Sequence, residues 1–156
     1  MDIPARLAYT VTWMKLHIVT IGKPKLAYAA LGWDDYLTRL KRLHTVRTTQ
    51  LADKYANDIA KFKEVTAGTY IVAMEISGQM LASMELADFL KKRELEAQEI
   101  SFIIGGPDGL PTEIRQAAKY QWSLSRLTLP HDLAMVVTLE ALFRAGTINA
   151  GLPYHR

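Results

Sequence analysis

The sequence predicts an α/β domain built around a largely parallel sheet. Stretches typical of strands alternate with stretches typical of helices along most of the 156 residues, which is the pattern of parallel sheets flanked by helices. The run ISFII at 100–104 is almost entirely apolar, as expected for a strand that is buried on both faces. The sequence GGPDG follows this run directly and predicts a sharp turn at its carboxyl end.

Three other stretches have the composition of strands. Residues 15–21 contain the apolar residues Leu16, Ile18, Val19 and Ile21 and are closed by glycine and proline, so they form the first predicted strand. Residues 44–49, HTVRTT, are β-branched and form a weaker candidate. Residues 69–76, TYIVAMEI, form a strong candidate, which Ser77-Gly78 is expected to end.

Apolar residues at helical spacing predict helices between these strands. A leucine stripe shared with Trp33 marks a helix over 26–44, and a short helix follows over 59–65. Ser83 is suited to cap a helix that reaches about residue 95, with Glu85 in the first turn, where the helix dipole favours an anion. Later helices are expected over 112–121 and from 131 or 132 to about 149. One side of the last helix is expected to carry Leu133, Val136, Val137, Glu140 and Phe143.

Composition places the chain among soluble globular proteins of one domain. Apolar residues make up 49% and charged residues 22%, which are ordinary values. The chain has no cysteine, which excludes thiolate nucleophiles, disulfides and cysteine-based zinc sites and suits a cytoplasmic protein. The four histidines are scattered, with no pair at i and i+4, so no metal site is expected. The sequence has no run of about 18 apolar residues, which is the length that would predict a membrane span.

Two domain segments are expected. Residues 1–13, MDIPARLAYTVTW, make a poor signal peptide because they lack a proper hydrophobic segment and a small-residue cleavage site. Met14 opens the more coherent segment MKLHIVTIG. We therefore interpret residues 1–13 as an N-terminal extension and residues 14–156 as a single domain.

The net charge of +3 is compatible with nucleic-acid binding without requiring it. Basic residues cluster over 39–47, whereas the run at 91–93 is followed by three glutamates. Such clusters are more often solvated helix faces than binding sites.

The first stretch with chemical potential is FIIGGPDGL at 102–110. Glycines directly after a buried strand let the backbone turn tightly and leave room for a ligand above the strand's carboxyl end. The pattern is not GxGxxG and no P-loop lysine follows it, so a phosphate cradle is not supported. A plain turn between a strand and a helix explains the pattern equally well.

The second stretch is WSLSRLTLPHDL at 122–133. It is too apolar for an ordinary exposed loop and too broken for a helix. Pro130 favours extended backbone at the residue before it, and the free N–H and C=O groups of extended backbone can bind the edge of a heterocycle such as adenine. The alternative is an internal strand followed by a capped helix, with His131 as a hydrogen-bonded residue near the helix start.

The third stretch is the last helix with the closing residues YHR. Glu140 and Arg144 are spaced i and i+4 and share a helix face, where a surface ion pair is the simpler interpretation. His155 can act as an acid or base near neutral pH and Arg156 can hold phosphate. Taken alone, however, a terminal tripeptide is more often a mere tail. The sequence also lacks a nucleophile elbow, a paired-carboxylate motif and HExxH.

Taken together, these stretches resemble one family. IIGGPDGL at 103–110, WSLSRLTLPH at 122–131 and the closing YHR occur in the order and at the distances found in RlmH-type ribosomal RNA methyltransferases. The resemblance covers about residues 14–156 and includes MKLHIV, IVAMEISG at 71–78 and LEALFRA at 139–145. That family belongs to the SPOUT class. The resemblance therefore implies a parallel sheet flanked by helices with a C-terminal trefoil knot.

The resemblance also implies an activity and a site. Such proteins are homodimers that bind S-adenosylmethionine and methylate N3 of a pseudouridine in 23S ribosomal RNA, within the large subunit of the assembled ribosome. The methyl donor is expected to contact Met74, Gly105, Leu124, Ser125, Arg126, Leu127, Thr128 and Leu129. The catalytic group is expected to comprise Arg144, Tyr154, His155 and Arg156, with His155 as a candidate to take the proton from N3. The tail is expected to lie against the methyl-donor pocket, with its end able to cross a dimer interface.

The sequence departs from the family pattern at Met135, Ala141 and Phe143. The family often has arginine at the first of these positions, so one anion contact is expected to be weaker here, with the basic stretch 39–47 as compensation. Two alternatives stay open. One is a SPOUT methyltransferase that acts on another RNA, such as transfer RNA, and the other is a non-catalytic ribosome-associated module that binds RNA.

Overall fold

The computed structural model describes residues 13–156, so residues 1–12 of the predicted extension lie outside the described residues. Five strands form one sheet in the order β2-β1-β4-β3-β5, and all four neighbouring pairs are parallel. The predicted parallel α/β fold is thereby confirmed. The strands are β1 (Lys15–Ile21), β2 (Thr45–Leu51), β3 (Tyr70–Met80), β4 (Ile100–Ile104) and β5 (Tyr120–Ser123).

Helices cover both faces of the sheet. On one face, α1, α3 and α5 pack over a core that includes Leu16, Ile18 and Phe102. On the other face, Phe62 of α2 and Ile114 of α4 pack on a smaller cluster. The helices are α1 (Ala27–Leu40), α2 (Ile59–Val65), α3 (Ser83–Leu95), α4 (Thr112–Ala117) and α5 (His131–Ala150), with a 3-10 turn at Asp53–Tyr55.

The central position of β4 in the sheet explains why its sequence is almost entirely apolar. All five of its residues are buried, because β1 and β3 pair with its two edges and helices cover both of its faces. The apolar run ISFII therefore occupies the one position in the described sheet that water reaches least. Its carboxyl end opens into the glycine-rich turn that the sequence predicted.

Helix α5 is the main packing element of the larger face. It contacts both α1 and α3, and its side chains Met135, Leu139 and Leu142 are fully buried. Length and composition alone would also allow α5 to cross a membrane, but here it is a core helix. The side of α5 that the sequence analysis singled out is not its most buried one, because Leu133, Val136 and Val137 are only half-buried. A helix that is apolar nearly all round does not reveal which side faces the core.

Strand β3 does not end at Ser77-Gly78 as predicted. It continues to Met80, because Met74 and Gln79 both pair with Trp122 of β5 and the residues between them form a bulge. A Cβ atom on Gly78 would lie 2.6 Å from the carbonyl oxygen of Gln121. The glycine thus permits close contact with β5 instead of terminating the strand.

Two further boundaries differ from the sequence predictions. Helix α1 ends at Leu40, four residues early, and a turn leads into β2. Helix α4 ends at Ala117, and the last two residues of the predicted helix, Tyr120 and Gln121, belong to β5. Within this short strand, Trp122 is buried with its ring centroid 6.0 Å from that of Phe102. Packing of this ring on β4 outweighs the weak local preference for helix.

Candidate functional site

A pocket of about 400 Å³ lies at the carboxyl ends of β3, β4 and β5. This is the side on which open parallel sheets bind ligands. The bulge of β3, the turn after β4, the segment after β5 and the start of α5 surround it. Its lining includes Met74, Glu75, Ile76, Gly105, Gly106, Asp108, Trp122, Leu124, Ser125, Leu127, Thr128, Leu129, His131 and Ala134.

The glycine turn after β4 forms one wall of the pocket. Gly106 and Gly109 form an antiparallel bridge, and Gly109 has a φ of +81°, a conformation that favours glycine. A Cβ atom on Gly105 would lie 2.7 Å from the carbonyl carbon of Gly109. The turn can therefore close only with glycine at 105, and the closed turn leaves the space above β4 open.

The bulge of β3 forms a second wall. Met74 is the last residue before the bulge, and Glu75 and Ile76 lie within it. The carboxylate of Glu75 is 3.6 Å from the Arg115 guanidinium, so this acidic side chain is held by a partner on α4. Ile76 is 52% exposed, so apolar surface borders the pocket.

The segment 124–129 forms a third wall and leaves its backbone available. Within residues 13–156, none of its N–H or C=O groups bonds to another backbone group. Ser125 organises the segment, because its Oγ accepts from the Leu127 N–H and its carbonyl accepts from the Ser123 hydroxyl. Free backbone groups beside a cavity need a partner. They are suited to the edge of a flat heterocycle.

The start of α5 is tied to the loop after β1. The Nε2–H of His131 donates to the carbonyl oxygen of Ile21, at 2.9 Å. The Asp132 carboxylate accepts from the backbone N–H groups of Lys25 and Leu26, at 2.7 and 2.6 Å. These bonds fix the pocket side of α5 relative to the central strands, and they confirm the prediction that His131 is a hydrogen-bonded residue near the helix start.

The closing residues fold back onto the other end of α5. The Tyr154 hydroxyl donates to Glu140 at 3.1 Å and lies 3.2 Å from the Tyr36 hydroxyl. Its ring packs 4.9 Å from the Phe143 ring and lies under the Arg144 guanidinium, at 4.8 Å. We call these five residues the tail cluster. A tail held in this way has a physical reason not to fray.

Electrostatics reinforce the tail cluster. Burial, together with the hydrogen bond to Tyr36, raises the pKa of the Tyr154 hydroxyl well above its usual range. The hydrogen bonds to Glu140 raise the pKa of Arg144. Tyr154 therefore stays a neutral donor and Arg144 a cation. The predicted Glu140–Arg144 ion pair is formed, and Arg144 Nη1 also lies 3.4 Å from Nδ1 of His155.

The predicted site residues fall into two separate groups. Seven of the eight residues expected to bind the methyl donor line the pocket, the exception being Arg126. None of the four predicted catalytic residues, Arg144, Tyr154, His155 and Arg156, lines it. The expectation that the tail lies against the pocket is therefore wrong within one subunit. Ala134 borders the pocket and Arg144 holds the tail, so ten helical residues, about 15 Å, separate the two.

Several pocket residues were not predicted. Glu75 and Ile76 reach the pocket only because β3 bulges, and Ala134 only because the start of α5 is bonded to the end of β1. Trp122 and His131 were quoted in the second stretch but were not assigned to the methyl donor. The clearest sequence signal for a missed pocket residue was the position of His131 directly after the predicted extended segment.

Two expectations about charge also change. Arg39 pairs with Asp35 and Arg47 pairs with Glu99, so half of the predicted basic stretch is already neutralised. Met135 is fully buried, so the departure at this position alters core packing and not a surface anion contact. Within residues 13–156, no group of three or more metal-ligating side chains could hold a metal ion.

Comparison with known proteins defines the class. Residues 14–155 match the sequence model of a family described as "Predicted SPOUT methyltransferase". Because the match spans nearly the whole chain, the chain belongs to the SPOUT methyltransferase family and is an enzyme of that class. The resemblance drawn from the three motifs is confirmed.

Named relatives are close in sequence. A Deinococcus radiodurans protein named "Ribosomal RNA large subunit methyltransferase H" is 45% identical over 145 residues, covering 92% of this chain and 99% of the relative. A protein of the same name from Acinetobacter baumannii is 35% identical over 158 residues, with 92% and 99% covered.

Solved structures agree on the fold. A probable methylase family protein from Haemophilus influenzae superposes with a TM-score of 0.57 at 14% identity, covering 92% of this chain and 71% of that chain. A probable methyltransferase from Bordetella pertussis superposes with a TM-score of 0.54 at 10% identity, covering 86% and 97%. At these identities the likeness concerns the fold alone, and the trefoil knot stays a prediction.

Proposed function

We propose that this protein is an S-adenosylmethionine-dependent methyltransferase that acts at N3 of a pseudouridine in 23S ribosomal RNA, within the assembled ribosome. The observation that carries the proposal is the pocket formed by the glycine turn and segment 124–129. It lies at the carboxyl ends of the strands, in a chain of the SPOUT family with relatives named for large-subunit ribosomal RNA methylation.

The pocket fits a methyl donor that combines a flat heterocycle with a charged chain. Its volume of about 400 Å³ lies within the usual range for small-molecule sites. Leu124, Leu127 and Leu129 offer apolar contact beside the free backbone groups of their segment. Met74, the last residue before the bulge of β3, also lines the pocket and offers a further apolar contact. Arg126 lies outside the lining, and we propose no contact for it.

When bound, S-adenosylmethionine supplies a methyl group that the sulfonium already makes electrophilic, so the chemistry needs no metal. The protein must hold the N3 lone pair in line with that methyl group and favour loss of the N3 proton. The narrow turn at Gly105 and the apolar segment supply orientation and exclude water from one side.

The separation of tail and pocket supports a homodimer. The predicted catalytic residues would act at the pocket of the partner subunit, because the pocket of their own subunit lies at the start of α5, about ten helical residues from Arg144. These residues are Arg144, Tyr154, His155 and Arg156. An apolar surface suited to such an interface lies at α1, where Leu26, Tyr28 and Leu31 are 52%, 53% and 73% exposed. Sedimentation of Leu31→Glu against wild type tests this arrangement, and a wild-type monomer would contradict it.

The substrate would be recognised as a folded surface. A net charge of +3 is modest for tight binding of naked RNA, whose affinity comes mostly from phosphate contacts. Recognition of the shape of an assembled ribosome fits this modest charge better. An enzyme that acts on ribosomes would work in the cytoplasm.

Three measurements test the proposal in order. Calorimetry should detect binding of S-adenosylmethionine, and no binding would favour a non-catalytic RNA-binding module. Purified ribosomes lacking the modification should accept a labelled methyl group. Mass mapping should then place the label on a pseudouridine of 23S RNA. Label on transfer RNA instead would show that the substrate is transfer RNA, while the protein would still be a methyltransferase.

A further inference from the structure

The geometry assigns His131 as the group that accepts the N3 proton during methyl transfer. This inference rests on the proposed function, because it concerns the same pocket and the same reaction. It replaces the tail histidine, His155, in that role. Three observations carry it: the bond made by one ring nitrogen, the freedom of the other, and the state of the competing bases.

The first observation determines the tautomer. A carbonyl oxygen can only accept a hydrogen bond, so the 2.9 Å contact with Ile21 requires a proton on Nε2 of His131. In the neutral ring the other nitrogen, Nδ1, then carries a lone pair. The carbonyl of Ile21 is fixed by the pairing of β1 in the sheet, so the ring orientation is fixed by the central strands.

The second observation concerns that lone pair. His131 lines the pocket and is half-buried. Its Nδ1 makes no hydrogen bond within residues 13–156, yet it is not one of the buried polar atoms that lack a partner. Solvent therefore reaches Nδ1, and so can a substrate group that enters the pocket. This arrangement, one nitrogen anchored and the other free, is that of a positioned base.

The third observation is that the competing groups are engaged or exposed. Glu75 is held by Arg115, and Asp108 lies exposed on the glycine turn. Nδ1 of His155 faces Arg144 Nη1 at 3.4 Å, and a proton there would place a second positive charge beside a guanidinium. Within residues 13–156, the His131 ring bonds only to the Ile21 carbonyl, whose oxygen would stabilise the new positive charge.

The step balances without a further reactant. The N3–H bond breaks and its proton moves to Nδ1 of His131, while its electron pair stays on N3. That pair forms the new N3–CH3 bond as the donor's S–CH3 bond breaks and leaves its electrons on sulfur. His131 becomes an imidazolium that still donates to Ile21, and it later releases its proton to solvent.

The first test needs no activity. Long-range proton–nitrogen NMR of histidine-labelled protein, with the four histidines assigned by single variants, should show His131 as the Nε2–H tautomer with and without S-adenosylmethionine. A ring protonated at Nδ1 instead would overturn the proposal.

The second test uses His131→Gln. The glutamine amide can keep the bond to the Ile21 carbonyl but cannot take up a proton. We expect S-adenosylmethionine affinity within about twofold of wild type and kcat lower by on the order of 100-fold or more. The plateau that follows the acidic limb of the kcat–pH profile should disappear, because the remaining rate should keep rising with pH as hydroxide replaces the base. The matched variant, His155→Gln, should keep that plateau.

The outcomes separate this inference from the proposed function. Active wild type with an unchanged kcat and pH profile in His131→Gln overturns this inference alone. A variant that loses S-adenosylmethionine affinity with kcat unchanged makes His131 a donor contact and also overturns it. Wild type that methylates no ribosomal RNA overturns the proposed function, and this inference with it.

Discussion

The pocket lies at the start of α5 and the tail cluster packs on the middle of the same helix, and different interactions hold the two regions in place. Backbone geometry shapes the pocket: a glycine turn, a strand bulge and a segment whose peptide groups bond to no other backbone group within residues 13–156. Side chains hold the tail cluster, through the edge-to-face contact of the Phe143 and Tyr154 rings and the hydrogen bonds of Tyr154. The difference is that seven of the eight residues predicted to contact the donor line one pocket within a single subunit, whereas none of the four predicted catalytic residues lines it.

Deleting 154–156 should produce the largest split between the two regions. Without the tail, methyl transfer to ribosomes should fall by on the order of 1000-fold, because the groups that position the substrate are gone. Calorimetric affinity for S-adenosylmethionine should stay within about twofold, because none of these residues lines the pocket. A truncated protein with full activity would return the closing residues to the role of a mere tail.

The converse change is Gly105→Ala, which should damage the pocket and spare the tail cluster. The added Cβ would meet the backbone of Gly109 at 2.7 Å, so the turn must open. We expect S-adenosylmethionine affinity to fall by roughly tenfold or more, as expected for the loss of about 1.4 kcal/mol. Gly68→Ala is a matched control for folding, because its Cβ would meet nothing within 4 Å, although its positive φ adds strain. Equal donor affinity in Gly105→Ala and wild type would contradict the prediction.

Acid should loosen the tail half of the molecule through His44. Burial lowers the pKa of this histidine to about 4, from 6.5, and neither ring nitrogen has a partner within the described residues. Its ring lies against Gly146 on the tail half of α5. The unfolded chain takes up this proton below pH 6.5 and the folded chain only near 4, so stability is full above pH 6.5 and falls as the pH drops.

The corresponding variant is His44→Leu, measured by urea unfolding at pH 7 and pH 5. The wild type should lose about 2 kcal/mol through His44 at pH 5, and the variant should lack this loss. His17, whose pKa burial also lowers to about 4, should leave a residual slope in both proteins. Parallel pH dependence in wild type and variant would rule out the assignment to His44.

The smallest effect is expected for Arg126→Ala. Sequence resemblance placed this residue in the donor site, but its side chain is exposed and outside the lining. Donor affinity should change by less than about twofold. Leu127→Ala, its neighbour within the lining, should weaken binding by several-fold through lost apolar contact. A larger loss for Arg126→Ala than for Leu127→Ala would show that the segment rearranges when the donor binds.

Much of the fold could be predicted because its signals are local. An apolar run predicts a doubly covered strand, as at 100–104, and the predicted strand 15–21 and helix 59–65 have the bounds observed for β1 and α2. Errors occurred where a distant partner decides the structure. Gly78 resembles a strand end until β5 is seen beside it, and residues 120–121 resemble the end of a helix until they are seen to pair with β3 and lead into Trp122, which packs on Phe102.

By itself, the sequence determined the parallel α/β class, the family and seven of the residues that line the pocket, because short motifs encode backbone geometry that needs no distant contact. Only the tertiary structure decided that the tail lies about ten helical residues from the pocket and that His131 has one anchored and one free nitrogen. Both facts depend on where α5 crosses the sheet. That crossing is determined by packing against α1 and α3, which no single segment of the chain encodes.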